Sequence, residues 1–129
     1  MISINHIDHL VLTVTSIEST IHFYQDVLGL EVISFGENRQ ALKFGCQKFN
    51  LHPVDHPLSP HAKAPVPGSE DFCLICDTPI DEIIHHLQAK GIAIEVGPVE
   101  RTGALSRLRS VYIRDPDGNL VELANEIPT

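Results

Sequence analysis

The feature that most constrains this chain is an Asp-Pro-Asp-Gly turn at residues 115–118. Pro fixes φ, Asp hydrogen-bonds to the backbone that follows it, and Gly accepts a positive φ, so the segment is typical of a tight turn. Two apolar runs flank it, Val111–Ile113 and Leu120–Ala124, and both are predicted to be strands. In the second strand, Val121 and Leu123 lie on one face, and Glu122 points to the opposite face. Because a buried carboxylate needs a partner, this face is either wet or holds a cation.

The chain as a whole repeats one order of elements, β-α-β-β-β. The first copy is predicted as strands at 7–14, 30–35, 40–44 and 48–52, with an amphipathic helix at 17–28. The second copy is predicted as strands at 71–76, 92–96, 111–113 and 120–124, with a helix at 80–87 and a loop at 97–109. His9, Ser16 and Gly29 recur at one constant offset as Asp71, Thr78 and Gly91. The repeat predicts two similar modules.

Local signals mark the helix starts and the boundary between the modules. Thr15–Glu18 fits a capping box, and Thr78 followed by Pro79 fits an N-cap with proline at the first helical position. Residues 53–68 contain five prolines and two histidines, so this segment is predicted to be a linker arm. We therefore expect one domain over residues 1–129, with module one at 1–52, the arm at 53–68 and module two at 69–129.

Composition narrows the class of protein. A chain of 129 residues with 43% hydrophobic residues is long enough for one globular domain. A net charge of −8 argues against binding to nucleic acid or to an anionic membrane. With neither a signal peptide nor an apolar run of membrane-spanning length, a cytoplasmic protein is expected. The spacing of Cys73 and Cys76 puts them on opposite faces of a strand, so buried free thiols are expected.

Three segments, 7–14, 24–30 and 114–123, resemble the vicinal-oxygen-chelate superfamily, and the resemblance covers nearly the whole chain. That superfamily contains glyoxalases, fosfomycin- and bleomycin-resistance proteins and extradiol dioxygenases. The resemblance implies an α+β fold in which two βαβββ modules pair into an eight-stranded curved cup with the helices outside. Members of this size are often homodimers, and dimerisation would also cover exposed sheet edges, so we predict a homodimer.

Members of this family typically place metal ligands at four positions inside the cup. The resemblance carries these positions to His9, Asn50, Asp71 and Glu122. His9 and Glu122 keep the family pattern, whereas Asp71 replaces a usual second histidine and Asn50 replaces a common glutamate. His52 lies on the same side as Asn50 and is a further candidate ligand. The implied cofactor is a divalent ion such as Zn, Ni, Mn, Mg or Fe, and the alternative is a polar cavity that binds an organic ligand without metal.

Three more residues are candidates for contact with a substrate, together with Asn50. Arg101 lies in the predicted 97–109 loop, where it could clamp a carboxylate or phosphate or simply be solvated. Ser110 and Tyr112 alternate with Val111 and Ile113, so they are expected to point the same way as Glu122. Tyr112 could act as a hydrogen-bond donor or acid, or serve as a wall of the cavity.

Three functions follow from these residues and the resemblance. The first is a metal-dependent isomerase or lyase of glyoxalase type, in which vicinal oxygens of a small molecule chelate the ion and Glu122 acts as the base. The second is a protein that binds a drug or metabolite without chemistry, like the bleomycin-resistance proteins. The third is an extradiol dioxygenase, which needs two histidines and one carboxylate around Fe(II). We expect His9 and Glu122 to reach a common ion or water cluster.

Overall fold

The computed structural model describes residues 1–129 and divides them into two compact units, Met1–Pro67 and Gly68–Thr129. Each unit contains one four-stranded mixed sheet and one helical region, in the order β-α-β-β-β. The predicted α+β class and the repeated order of elements are therefore confirmed. No helix is long and apolar enough to cross a membrane.

In the first unit, β4 is a central strand of the sheet and lies between β1 and β3. The elements of this unit are β1 (His9–Val14), α1 (Ile17–His22), a π-helical segment (Phe23–Val27), β2 (Glu31–Phe35), β3 (Arg39–Phe44) and β4 (Gln47–Pro53). The strand order is β1-β4-β3-β2, in which β1 runs parallel to β4 and the remaining pairs are antiparallel. A parallel pair needs a crossover connection, and the helical region supplies part of it.

The second unit repeats this topology. Its elements are β5 (Asp71–Ile75), α2 (Ile80–Ala89), β6 (Val96–Thr102), β7 (Arg107–Arg114) and β8 (Leu120–Glu126). The strand order is β5-β8-β7-β6, so β8 takes the place that β4 has in the first unit. The offset seen in the sequence holds at the strand starts, because β1 begins at His9 and β5 begins at Asp71. Gly29 and Gly91 share a positive φ after their helices.

One face of each sheet carries the apolar core. In the second unit, Val121 and Leu123 of β8 are buried, and so are Val111 and Ile113 of β7. The alternate residues of these strands, including Glu122, form the opposite face, which we call the polar face of the sheet. The alternation predicted for the last two strands is thus confirmed.

The predicted strand at 92–96 and loop at 97–109 are wrong. Residues 96–102 form β6 and pair with a β7 that begins at Arg107, so a short hairpin replaces the long loop. The Gly97–Pro98 dipeptide suggested a break in the strand. However, β6 is an edge strand of the sheet, where a proline, which has no backbone N–H, is tolerated. A register shift between Val96 and Val99 accommodates it.

Both helices begin where predicted, at Ile17 and Ile80, but the caps of both and the course of the first helix differ from prediction. Ser16, rather than Thr15, caps α1, and its side-chain oxygen accepts the backbone N–H of Ser19 at 3.1 Å. Thr78 does not cap α2; instead Asn125 of β8 accepts the Ile80 N–H at 2.7 Å. The single helix expected at 17–28 widens into the π-helical segment Phe23–Val27, which turns several bulky side chains into the core.

Candidate functional site

Strand register brings a set of polar side chains together on the polar face of the second sheet. Glu122 of β8 pairs with Cys73 of β5 on one side and with Tyr112 of β7 on the other. Ser110, two residues before Tyr112, lies on the same face and is fully buried. The prediction that Ser110 and Tyr112 share the side of Glu122 is therefore confirmed.

A cavity of about 600 Å³ opens beside this set of residues. Its apolar wall comes from four residues: Ile75, Ala104, Leu105 and Leu108. Its polar wall includes Arg101, Tyr112, Glu122, Glu126 and Cys73. A volume of this size is within the range that accommodates a small organic molecule.

Glu122 and Ser110 are the residues of the set with unused hydrogen-bonding capacity, and the Ser110 Oγ atom is buried without a partner in the protein. The Glu122 Oε2 atom is likewise buried and has no hydrogen-bond partner in the protein. Burial raises the pKa of the neighbouring Cys73 thiol to about 12, and the charge of Glu122 and hydrogen bonding to it add to the effect. Cys73 is therefore a neutral thiol at physiological pH, although part of its side chain reaches solvent.

Arg101 is tied to the same set through Tyr112. Its Nε donates to the Tyr112 hydroxyl oxygen at 3.0 Å, and its Nη1 donates to the Glu100 carbonyl at 3.1 Å. Burial raises the pKa of Tyr112, while hydrogen bonding to Arg101 lowers it and interaction with Glu122 raises it. Arg101 thus lies on β6, not in a loop, and its exposed side chain lines the cavity.

The β6–β7 hairpin borders the cavity and brings its apolar residues into place. The Gly103 N–H donates to the Ser106 carbonyl at 2.8 Å and closes the turn. A Cβ at Gly103 would lie 2.8 Å from that same oxygen and 2.9 Å from Leu108 Cγ, so only glycine fits here. Leu105, at the tip, is 91% exposed.

In the first unit, the candidates fall on the polar face of the other sheet. The His9 Nδ1 atom lies 2.8 Å from the Asp8 carboxylate, and the side chain is 45% exposed. Asn50 and His52 are buried at 6% and 4% exposure. Asn50 Oδ1 and both ring nitrogens of His52 lack a partner in the protein. Burial, followed by the charges of Arg39 and His61, lowers the pKa of His52.

Within the second unit, the structure groups four of the predicted residues and leaves Asp71 outside that set. Glu122, Tyr112, Arg101 and Ser110 form one set in the second unit. Asp71 begins β5 at the level of Leu120 and is exposed, so Cys73 and not Asp71 is the direct neighbour of Glu122.

Sequence reasoning missed Cys73 as a site residue. Its position two residues after Asp71 on the same strand face was the available signal. The three cysteines are free, as expected, but Cys46 and Cys73 are exposed and not buried.

The family model of the Glyoxalase/Bleomycin resistance protein/Dioxygenase superfamily matches residues 6–123. The chain belongs to this superfamily. Virulence protein STM3117 of Salmonella typhimurium is 51% identical over 124 residues, which cover 96% of this chain and 86% of that protein. Glyoxalase domain-containing protein RDO1 of Mycosarcoma maydis is 45% identical over 124 residues, which cover 96% of this chain and 70% of that protein.

Solved structures agree with the superfamily assignment. The crystal structure of STM3117 matches with a TM-score of 0.96 at 50% identity, covering 98% of this chain and all of the other. A lactoylglutathione lyase from Agrobacterium tumefaciens matches with a TM-score of 0.73 at 26% identity, covering 95% of each chain. TnmS3, an antibiotic-binding protein from a Streptomyces species, shares the fold with a TM-score of 0.74 at 21% identity, covering 98% of this chain and all of the other.

The superfamily usually employs a divalent metal, which needs several donor side chains at one place. Nowhere in the chain do three His, Cys, Asp or Glu side chains form a group that could hold an ion. Glu122 has a neutral thiol and a neutral phenol as its nearest polar neighbours, and neither is a metal ligand in that state. As arranged within the second unit, these donors do not form a metal site.

Proposed function

We propose that the cavity of the second unit binds a small organic molecule with an apolar body and an oxygen-rich end. The observation that carries the proposal is the line from Arg101 through the Tyr112 hydroxyl to Glu122 along one wall of the cavity. Arg101 keeps its Nη2 group for a ligand acceptor, because its hydrogen bonds to Tyr112 and Glu100 use Nε and Nη1. Glu122 Oε2 is a matching acceptor for a ligand hydroxyl or N–H.

The two walls define the ligand further. Leu105, Leu108 and Ile75 offer apolar surface, which favours an aromatic or branched aliphatic body. A carboxylate or phenolate at the Arg101 end would receive a charge-assisted hydrogen bond. The proposed ligand class is therefore a hydroxylated or amino-substituted aromatic acid or a molecule of similar shape. We propose non-covalent binding as the basic activity.

A second candidate is a proton-transfer reaction, such as an isomerisation or lyase step, with Glu122 as the base. The unpartnered Glu122 oxygen favours it, because a base must have a lone pair available to a substrate proton. Arg101 and the Tyr112 hydroxyl would then stabilise the oxyanion that forms when the proton leaves. The 26% identity to a lactoylglutathione lyase is consistent with this chemistry.

The metal-dependent versions of the function stay predictions. A shared ion at His9 and Glu122 would need donors from both units, with Asp71 or His52 as further ligands. Metal analysis of the purified protein, with His9→Ala and Glu122→Ala beside His61→Ala, tests this prediction. Metal content that is unchanged in both site variants would contradict it. The dioxygenase reaction and the homodimer also stay predictions, which catechol turnover with Fe(II) and light scattering test.

Calorimetric titration with 4-hydroxybenzoate and 3-hydroxybenzoate tests the binding proposal. We expect saturable binding that Arg101→Met weakens by about tenfold, the value of one charge-assisted hydrogen bond. Arg109→Met is the matched control, because Arg109 lies on β7 and pairs with Asp81 outside the cavity. Binding that survives Arg101→Met, Tyr112→Phe and Glu122→Gln unchanged would refute the proposal.

A further inference from the structure

We infer that Cys73 is a positioning residue that decides which ligand end the cavity of the second unit accepts. Its thiol, together with the Tyr112 hydroxyl, occupies one oxygen of the Glu122 carboxylate and leaves the other oxygen to the ligand. The cavity therefore selects a ligand end with a single donor, such as a hydroxyl, over one with paired donors, such as an amidine. This inference rests on the proposed binding function and adds the residue that sets its selectivity.

Strand register places the three side chains next to one another. Cys73 of β5 and Tyr112 of β7 are both direct partners of Glu122 of β8. Side chains at paired positions of neighbouring strands share one face of the sheet, so the carboxylate lies between the thiol and the phenol. All three residues line the cavity, and Cys73 is exposed, so a ligand can reach this group of side chains.

Both neighbours donate hydrogen bonds to the carboxylate. Arg101 Nε donates to the Tyr112 hydroxyl oxygen at 3.0 Å, which leaves the hydroxyl proton for the hydrogen bond between Tyr112 and Glu122. Cys73 also hydrogen-bonds to Glu122, and a thiol that keeps its proton is the donor in such a bond. The carboxylate therefore receives one hydrogen bond from β5 and one from β7.

These two bonds use one oxygen of Glu122 and leave the other without a partner. The Oε2 atom is buried and has no partner in the protein, so the bonds from the thiol and the phenol fall on Oε1. Each oxygen of a carboxylate has about two acceptor sites, so two donors fill Oε1. Glu122 thus offers Oε2 alone to a ligand, although its carboxylate has two oxygens.

A carboxylate with one occupied oxygen discriminates between ligand ends. An amidine or guanidine binds a carboxylate with two parallel N–H···O bonds, one to each oxygen, and this bidentate pairing is the strong form of the contact. At Glu122 the second of these bonds would have to displace the thiol or the phenol from Oε1. A ligand hydroxyl needs only one acceptor and meets Oε2 without competition. Removal of the thiol alone would free one acceptor site on Oε1 and so permit the bidentate pairing.

Calorimetric titration of the full chain with 4-hydroxybenzoate and 4-amidinobenzoate tests the inference, because the two probes share the ring and the carboxylate and differ in their donors. We expect Cys73→Ala to shift the ratio of the two dissociation constants about tenfold toward 4-amidinobenzoate, the value of one hydrogen bond to a carboxylate. Cys73→Ser should restore the ratio of the natural chain, because a serine hydroxyl also donates. Cys76→Ala is the matched control, because this neighbouring thiol donates to the Leu74 carbonyl and does not line the cavity.

Infrared spectroscopy of the S–H stretching band supplies a readout that a merely space-filling side chain would not change. We expect the band that disappears in Cys73→Ala to move to higher frequency in Glu122→Gln, because a neutral amide is a weaker acceptor than a carboxylate. An unmoved band, an unchanged ratio in Cys73→Ala, or a ratio in Cys73→Ser equal to that of Cys73→Ala would each overturn the inference while the proposed function stands. Failure of both probes to bind the natural chain would refute the proposed function and the selectivity with it. Circular dichroism of every variant verifies that its fold is intact.

Discussion

The Asp115→Ala substitution is the sharpest test of how the last two strands are held. Asp115 is buried, with 6% exposure, and its carboxylate accepts the Asn119 N–H at 2.9 Å and the Asn119 Nδ2 at 2.7 Å. It also accepts the Asp117 N–H at 3.0 Å. Asn119 is 1% exposed, and its Oδ1 in turn accepts the Glu70 N–H at 2.9 Å. The turn therefore anchors the start of β8 beside β5.

The expected loss follows from the donors that the substitution leaves unpaired. Two donors of Asn119 are buried, and each unpaired buried donor costs about 1–3 kcal/mol. The Asp117 N–H is only part-buried and can bond to water, so its loss adds little. We expect Asp115→Ala to lower the free energy of unfolding by about 2–6 kcal/mol, a large share of the stability of an ordinary domain.

Urea unfolding, followed by circular dichroism and tyrosine fluorescence, measures this loss. The chain has no tryptophan and two tyrosines, Tyr24 in the first unit and Tyr112 in the second, so NMR of their rings reports on each unit separately. Asp115→Asn is the matched control, because it keeps one acceptor oxygen and should lose about half as much. A loss below about 1 kcal/mol for Asp115→Ala would refute the reasoning, since the carboxylate would then contribute no more than a surface group.

Three further predictions concern the site and the surface of the second unit. Cys73 should react with iodoacetamide at pH 8 at least about tenfold more slowly than the same cysteine in the urea-unfolded chain, because its pKa of about 12 leaves little thiolate. Mass spectrometry measures the two rates, and equal rates would contradict this prediction. Gly103→Ala should cost about 1–3 kcal/mol in urea unfolding and weaken ligand binding, because the new Cβ would lie 2.8 Å from a backbone oxygen across the hairpin. Arg114 holds the pKa of Glu95 below its ordinary 4.5 through a hydrogen bond, so this pair stabilises the fold above that pH and loses its effect as the pH falls. The stability difference between the natural chain and Arg114→Met should therefore be present at pH 7 and fade in acid; a constant difference would contradict it.

The sequence by itself determined most of the elements, though not β6, and the direction of the side chains in the last two strands. Alternation along β7 and β8 needs only local chemistry, since apolar and polar residues separate to opposite faces of any strand that borders a core. The Asp-Pro-Asp-Gly turn is likewise local, because its residues restrict their own backbone and Asp115 bonds to groups within four residues of itself. The same applies to Gly29 and Gly91, which end their helices with a positive φ.

Only the tertiary structure decided which polar groups meet. Pro98 breaks a strand pattern when it is judged locally, but the sheet places it on an edge strand, where its missing N–H is tolerated. Asn125 caps a helix that begins 45 residues earlier, because its strand lies beside the start of that helix. Cys73 beside Glu122 and Arg101 beside Tyr112 depend on cross-strand register in the same way. Pairing between distant strands is a property of the folded chain, so a pattern within one segment does not contain it.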